Sequence, residues 1–231
     1  MLFRSLGTLL LGRRRLDEAA VSLERAVTLK PDWSESHTNL GAVWFLRGDR
    51  AAALRAFDEA LRRNPANAQA HYNRGRVLAA EGRPAEALVA FKESLRWKPA
   101  DPETLTAAGA VLVATGQVLD ATAYYRDALR VQPDFVSALT DLAWILASAE
   151  PVEKARADEA VKLAERAATL TSFDNAIVLD TLGASYFAAG RVDDAIRTAE
   201  RAVGVADRHG ETQAVRDITG RLNSYRRSRP D

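Results

Sequence analysis

The sequence predicts an all-α protein made of stacked pairs of helices, and three observations lead to that prediction. Four prolines, Pro31, Pro65, Pro99 and Pro133, stand 34 residues apart, and glycines and apolar residues between them recur at the same spacing. A fixed period of this length is typical of repeat proteins. Each period contains two stretches with apolar residues at helical spacing. Alanine, leucine and arginine are plentiful, and all three favour helix.

Composition excludes several classes of function. The chain of 231 residues has no cysteine, which excludes disulfides, thiolate zinc sites and cysteine nucleophiles. The net charge of +1 comes from interspersed charges of both signs, so we expect no nucleic-acid partner. The apolar run from Leu6 to Leu11 is too short to cross a bilayer, so we expect no membrane insertion by this segment. The cytoplasm is the favoured compartment, and the oligomeric state is left open.

The first fifteen residues are predicted to form the first helix of a repeat. Their basic cluster, Arg13 to Arg15, follows the apolar stretch, whereas a signal peptide would have the charges in front. In the next period, apolar stripes predict a first helix over 34–47 and a second over 50–63. Glycine just after the first helix favours a left-handed end, and this residue recurs as Gly48, Gly82 and Gly116.

The residues between helices also carry predictions. Proline ends the second helix of each repeat because it cannot continue a helix. Side chains after these prolines are expected to cap the next first helix, namely Asp32, Asn67, Asp101 and Asp134. Glycine recurs at the eighth position of the first helix, where it costs about 1 kcal/mol against alanine. We expect close approach of the second helix there, with facing alanines such as Ala53, while Phe57, Phe91 and Tyr125 fill the space between repeats.

After Pro133 the register loosens. The turn of the fifth repeat is expected to expand over 148–156, and Ala160 resumes the second helix about five residues late. A sixth repeat follows, and the apolar spacing over 211–227 predicts a capping helix with a polar outer face. The expected organisation is one solenoid with repeats at about 1–33, 34–67, 68–101, 102–135, 136–174 and 175–208.

The recurring pattern resembles the tetratricopeptide repeat (TPR). Its spacing of W-x2-L-G-x2-Y, A-x3-F and P is matched in the second repeat by His37, Leu40, Gly41, Trp44, Ala53, Phe57 and Pro65. The resemblance implies a right-handed α-solenoid of about six such repeats with a C-terminal capping helix. The block from Ala138 onwards is similar to the closing segment of many bacterial TPR proteins. Because the chain begins inside its first repeat, an incomplete chain is one expectation.

Residues that could carry chemistry are sparse. His37 and His71 occupy equivalent positions, which stacking would place about 10 Å apart. Neither has a nearby cysteine or acidic pair, so we expect no metal site. Arg74 stands where other repeats have an apolar residue, and we expect its stem to pack with its charge in water. The sequence predicts no catalytic residues, no cofactor and no enzyme activity.

The resemblance implies a concave groove, lined by the first helices, that binds a peptide or a helix of a partner protein. Asn39 and Asn73 would form two rungs of an asparagine ladder, similar to that in O-linked N-acetylglucosamine transferases, which holds a peptide backbone. A carboxylate clamp is excluded, because Thr8, Gln69 and Asn73 stand at its cationic positions. The groove residues transferred by the resemblance are Thr38, Asn39, Phe45, Tyr72, Asn73, Arg76, Thr106, Thr140, Trp144, Asp180 and Phe187.

Two functions follow from this interpretation. The first is a non-enzymatic interaction scaffold. The alternative is the substrate-recognition portion of a larger bacterial enzyme, such as a glycosyltransferase. For the groove itself, it also stays open whether several of the aromatic side chains simply pack between first helices.

Overall fold

The computed structural model describes residues 2–149 and 153–229. These ranges contain thirteen α-helices and no strand, so the predicted all-α class is confirmed. The chain divides into two compact units, Met1–Gln117 and Val118–Asp231. Unit 1 contains α1 (Leu2–Gly12), α2 (Leu16–Leu29), α3 (Ser34–Leu46), α4 (Arg50–Arg63), α5 (Ala68–Ala80), α6 (Pro84–Trp97) and α7 (Pro102–Ala114).

Unit 2 begins with the second helix of the fourth period. Its helices are α8 (Val118–Val131), α9 (Val136–Ser148), α10 (Lys154–Leu170), α11 (Ala176–Ala188), α12 (Val192–Arg208) and α13 (Thr212–Arg227). In both units a first helix pairs with the second helix that follows it, and that second helix packs on the next first helix. Successive first helices therefore lie side by side within each unit, as α3 and α5 do in unit 1 and α9 and α11 in unit 2.

The eighth-position glycines make room for a large side chain of the paired helix. A Cβ atom on Gly41 would lie 2.6 Å from Cε1 of Phe57, and one on Gly75 would lie 2.6 Å from Cε1 of Phe91. In the first repeat the carbonyl of Ala19, the alanine equivalent to Ala53, lies 3.4 Å from a Cβ on Gly7, whereas at Gly41 and Gly75 the nearest atoms belong to the phenylalanine ring. The ring four residues further along the second helix reaches the glycine, because a side chain on a helix covers the turn before its own Cα.

Gly41→Ala should destabilise the protein by about 1–3 kcal/mol, because the buried Phe57 ring must leave its place to admit a methyl group. Gly220→Ala is the matched control, since a Cβ at Gly220 meets nothing within 4 Å. This control should stabilise the helix by about 0.5–1 kcal/mol. Urea unfolding followed by circular dichroism measures both changes. Equal free energies of unfolding for Gly41→Ala and wild type would show that the close approach is not needed.

Glycine ends the first helices in the left-handed region, as predicted. Gly48, Gly82 and Gly116 have φ angles of +87°, +72° and +78°. In the first repeat the equivalent position holds Arg14, whose φ is 57°. A side chain with a Cβ pays a steric cost of about 1 kcal/mol or more in this conformation.

Arg14→Gly should therefore stabilise the protein by about 0.5–1 kcal/mol, the steric relief being partly offset by the greater freedom of glycine in the unfolded chain. Gly48→Ala makes the opposite change at the equivalent position of the next repeat and should destabilise by a similar amount. Thermal unfolding of the two variants beside wild type checks the signs. A destabilised Arg14→Gly protein would mean that the arginine side chain contributes more than its backbone conformation costs.

The capping predictions are half correct. Asn67 and Asp101 cap α5 and α7 by accepting hydrogen bonds from the amides of Ala70 and Thr104. The caps predicted at Asp32 and Asp134 are wrong, because the N-caps of α3 and α9 are the next residues, Trp33 and Phe135. Neither of these makes a side-chain cap hydrogen bond. A capping oxygen has to come from the residue directly before the helix, so an offset of one residue removes the cap.

The fifth repeat departs from the others in its second helix. Residues 150–152 of the expected turn lie outside the described residues. Lys154 to Arg156, also assigned to that turn, are helical instead, and α10 has 17 residues where α4 has 14. Part of the insertion thus lengthens a helix. The capping helix is confirmed, because Ile218, Leu222 and Tyr225 of α13 are buried in one core cluster with α11 and α12.

Candidate functional site

The first helices of unit 1 carry most of the predicted groove residues, and among these Thr38 and Thr106 are buried. Thr38 is buried, and its hydroxyl donates to the Ser34 carbonyl at 3.0 Å. The same hydroxyl accepts a hydrogen bond from Asn67 at 3.0 Å, which ties α3 to the start of α5. Thr106 is also buried, and among the described residues its hydroxyl has no hydrogen-bond partner.

The two asparagines of the predicted ladder differ in access. Asn39 lines an open cavity of about 770 Å³ between α1 and α3, together with Arg4, Thr8 and Glu35. Its Nδ2 donates to the Thr8 hydroxyl at 2.9 Å, which leaves its carbonyl oxygen for another donor. Asn73 is only 8% exposed, and its carbonyl receives a long bond of 3.4 Å from Gln69. The first rung is open to a ligand and the second is largely covered, so the ladder stays a prediction.

Three further groove residues come together on α3 and α5. The guanidinium of Arg76 lies 5.4 Å from the ring centre of Phe45 and 5.6 Å from that of Tyr72. Both distances fit cation–π contacts, which are worth about 0.5–1 kcal/mol each at exposed sites. The Tyr72 ring in turn lies 6.0 Å from that of Phe91. Arg76 itself remains exposed, so its charge is fixed in place by aromatic rings at the surface.

Beside this arginine lies an apolar cavity of about 600 Å³, here called the α5–α7 cavity. Its walls are Phe45, Ala79, Pro84, Phe91, Ala107, Ala110, Val111 and Ala114, and Gly82 and Arg76 complete the lining. Among the described residues that line it, Arg76 alone carries a charge. Sequence reasoning missed the contribution of α6, because Phe91 was assigned to packing between repeats. The A-x3-F pattern that contains Phe91 does not indicate that the ring also faces a cavity.

In unit 2 the capping helix engages three predicted groove residues. Arg221 donates from Nε to Asp180 at 2.7 Å and from Nη2 to the second carboxylate oxygen, and its guanidinium lies 5.4 Å from the Trp144 ring centre. Phe187 stacks on Tyr225 with ring centres 4.6 Å apart. Sequence reasoning missed Arg221. Its partners lie on α9 and α11, far away in sequence, so only the folded chain reveals them.

Two carboxyl groups in unit 2 have raised pKa values. Burial raises the pKa of Asp141 to about 6, against a hydrogen bond from Tyr125 that favours the charged form. Burial also raises the pKa of Asp180, and the hydrogen bonds and positive charge of Arg221 oppose that rise. Thr140, the predicted groove residue next to Asp141, donates to the Val136 carbonyl of its own helix at 2.8 Å.

The Asp141 carboxyl should make the stability of the protein depend on pH. Its pKa of about 6 in the folded state exceeds the value near 4 of an unfolded chain, so the folded state binds the proton more tightly. This contribution is present below pH 4 and is lost as pH rises through 6. Asp141→Asn should therefore stabilise the protein by about 1–3 kcal/mol at pH 7–8, and by much less at pH 4.

Urea unfolding from pH 4 to pH 8 measures this difference. Asp158→Asn is the control, since Asp158 lies at an exposed position of α10. A difference between Asp141→Asn and wild type that stays constant with pH would contradict the assignment.

Two of the histidines, His37 and His71, form hydrogen bonds with backbone carbonyl groups. Nε2 of His37 lies 2.8 Å from the carbonyl of Pro31, and Nε2 of His71 lies 2.9 Å from that of Pro65. Each ring thus bonds the proline that closes the preceding repeat. The described residues contain no group of three or more His, Cys, Asp or Glu that could hold a metal ion. Arg74 pairs with Asp58 at 2.8 Å and is 30% exposed, so its charge has a carboxylate partner at the surface.

The fold and this face define an all-α repeat protein whose adjacent first helices form a surface with open cavities. Three family models, each described as tetratricopeptide repeat, match residues 47–102, residues 78–142, and residues 34–59 with 178–201. Together they span more than half of the chain. The chain belongs to the tetratricopeptide repeat family. A search of the curated proteins finds no match.

Solved structures support the same fold. PilF of Pseudomonas aeruginosa aligns with a TM-score of 0.80 and 18% identity, covering 95% of this chain and 96% of PilF. PilW, described as a type IV pilus biogenesis factor, aligns with a TM-score of 0.79 and 19% identity, covering 94% and 97%. YrrB, described as a TPR protein with an unusual peptide-binding site, aligns at 0.64 and 20% identity, covering 87% and 99%. The predicted fold class, an α-solenoid of TPR repeats with a capping helix, is confirmed.

The helices give one further result on topology. Within the part of the chain that the structure describes, no helix combines the length and apolar character needed to cross a membrane.

Proposed function

We propose that this chain is a non-enzymatic interaction scaffold that binds an extended or helical segment of a partner protein on the first-helix face of unit 1. The observation that supports this most is the α5–α7 cavity, which is apolar, open and bordered by a fixed arginine. Cavities of about 300–1,000 Å³ with few polar groups are typical binding sites. The resemblance to TPR proteins, one of which is described as binding a peptide, favours the same function.

Unit 1 offers two kinds of contact along this face. Between α1 and α3 most of the lining residues carry polar or charged groups, and Asn39 retains a free carbonyl oxygen for a backbone amide of the partner. Between α5 and α7 the lining is apolar and accepts a side chain. A segment lying across the first helices would meet both in turn. Because Asn39 and Arg76 are already held by Thr8 and by two rings, little side-chain freedom is lost on binding.

The corresponding residues of unit 2 are less accessible. Asp180 and Phe187 are engaged by Arg221 and Tyr225 of the capping helix. Trp144 remains 37% exposed beneath the Arg221 guanidinium. We therefore assign the principal contacts to unit 1 and a secondary aromatic contact to Trp144. The partner is a protein or peptide, and the balanced net charge gives no reason to expect nucleic acid.

Filling the cavity tests this function. Peptides are first selected on the purified full chain from a phage-displayed library of random 12-residue sequences. Ala110→Trp, at an exposed position of the cavity wall, should then weaken their binding at least about tenfold, or about 1.4 kcal/mol. Ala51→Trp, at an exposed position of α4 outside both cavities, should leave it unchanged. Fluorescence anisotropy measures the dissociation constants.

The same peptides test the asparagine ladder. Asn39→Ala should weaken binding more than Asn73→Ala, because Asn39 lines an open cavity and Asn73 is nearly covered. If no library peptide binds, or if Ala110→Trp and Ala51→Trp bind every peptide as wild type does, this face is not the binding site.

A further inference from the structure

The charge at the rim of the α5–α7 cavity has no counter-ion in unit 1. Neighbouring arginines do have one: Arg74 pairs with Asp58 at 2.8 Å, Arg83 with Glu86 at 2.7 Å and Arg63 with Glu59 at 2.5 Å. No carboxylate of the described residues of unit 1 lies within ion-pair distance of Arg76. The Arg76 guanidinium is therefore not part of an ion pair with the described residues of unit 1.

The aromatic rings decide which part of Arg76 is available. Phe45 and Tyr72 contact the guanidinium at 5.4 and 5.6 Å from their ring centres. Rings stacked on a guanidinium leave the N–H donors at its edge free. These donors form a planar fork that matches the two oxygens of a carboxylate. The residue is thus held in a geometry suited to receive one carboxylate.

The cavity next to it favours a different group. Its walls are mostly alanine methyl groups with the rings of Phe45 and Phe91, and apolar surface of this kind favours burial of aliphatic or aromatic side chains. A volume of about 600 Å³ is ample for one large side chain. The site therefore combines an apolar cavity with a single positively charged side chain, Arg76, at its edge.

The charge of the adjoining surface has the same sign. The cavity between α1 and α3 is lined by Arg4 and Arg13 against one acidic residue, Glu35. A partner segment that crosses this face would therefore meet an excess of positive charge at both cavities. Complementary charge speeds association and excludes partners of the wrong sign.

We infer that the partner segment carries a carboxylate next to a large apolar side chain, the apolar group filling the α5–α7 cavity and the carboxylate bonded to Arg76. This inference rests on the proposed function, since it names the chemistry of the segment that the same face binds. The carboxylate is that of an aspartate or glutamate side chain. Both present the same two oxygens to the arginine.

The test uses peptides selected on the full chain from the random 12-residue library, followed by synthetic copies of each. Selected sequences should contain Asp or Glu within about three positions of Leu, Ile, Phe or Trp. Replacing the acid by its amide should weaken binding to wild type by about tenfold or more. With Arg76→Gln the same replacement should change binding less than about twofold, because the charge that it served is gone. Amidating the C-terminus of the same peptides should leave their binding unchanged, and a tenfold loss on amidation would assign the carboxylate to the C-terminus and overturn the inference.

Arg74→Gln is the matched control, since it removes a partly exposed arginine of the same helix that has a partner in Asp58. It should keep the tenfold preference for the acidic peptide. Circular dichroism melts verify that each variant is folded.

The outcomes separate this inference from the proposed function. If peptides bind and Ala110→Trp blocks them, but acid and amide forms bind wild type equally, the inference is wrong and the scaffold function stands. The inference is also overturned if Arg76→Gln retains the full preference for the acid. If no library peptide binds at all, the proposed function fails, and the inference fails with it.

Discussion

The structure depends on the contact between a glycine of the first helix and a ring of the second. At Gly41 and Gly75 the rings of Phe57 and Phe91 lie where a Cβ would be, so the two helices of a repeat can approach closely. In the sixth repeat alanine replaces the ring, as Ala199, and a Cβ on Gly183 would make only ordinary van der Waals contacts, the nearest with the Ala195 carbonyl at 3.5 Å. The ring and the glycine together set the distance between paired helices. That distance determines how successive first helices align to form a face.

This contact also links stability to binding. Phe91 fills the space beside Gly75 and at the same time lines the α5–α7 cavity. Tyr72 lies against the same ring and contacts Arg76. A residue required for stacking therefore supports the side chains that line the cavity. Such a site is rigid because its supports are core residues, and rigidity reduces the entropy lost when a partner is ordered on it.

Periodicity predicts the fold well and the site only in part. The 34-residue period gives helices, left-handed turns and the capping helix, because each arises from local residues repeated many times. The period predicts that Arg76 and Phe45 face the same side of the repeats. It does not predict their contact, because that contact depends on the distance between α3 and α5. The contact of Arg221 with Trp144 and Asp180 joins three helices and could not be predicted from one repeat. The wrong cap predictions at Asp32 and Asp134 show a second limit of prediction from sequence, because an error of one residue in the start of a helix changes the role of a side chain.

Under the proposed function, specificity resides in the positions that stacking leaves free. The residue after the eighth-position glycine is one of these, and in successive first helices it is Thr8, Ala42, Arg76, Ala110, Trp144 and Ala184. The equivalents of Arg76 in the preceding and following repeats are Ala42 and Ala110. No large side chain at these two positions therefore competes with a ligand for the space beside the arginine. A charge set between two small residues is not required by the repeat, which tolerates alanine there. The cavity beside Arg76 therefore reflects local variation on a common repeat. Under the proposed function, this variation determines which partner binds, and the residues that define the repeat do not.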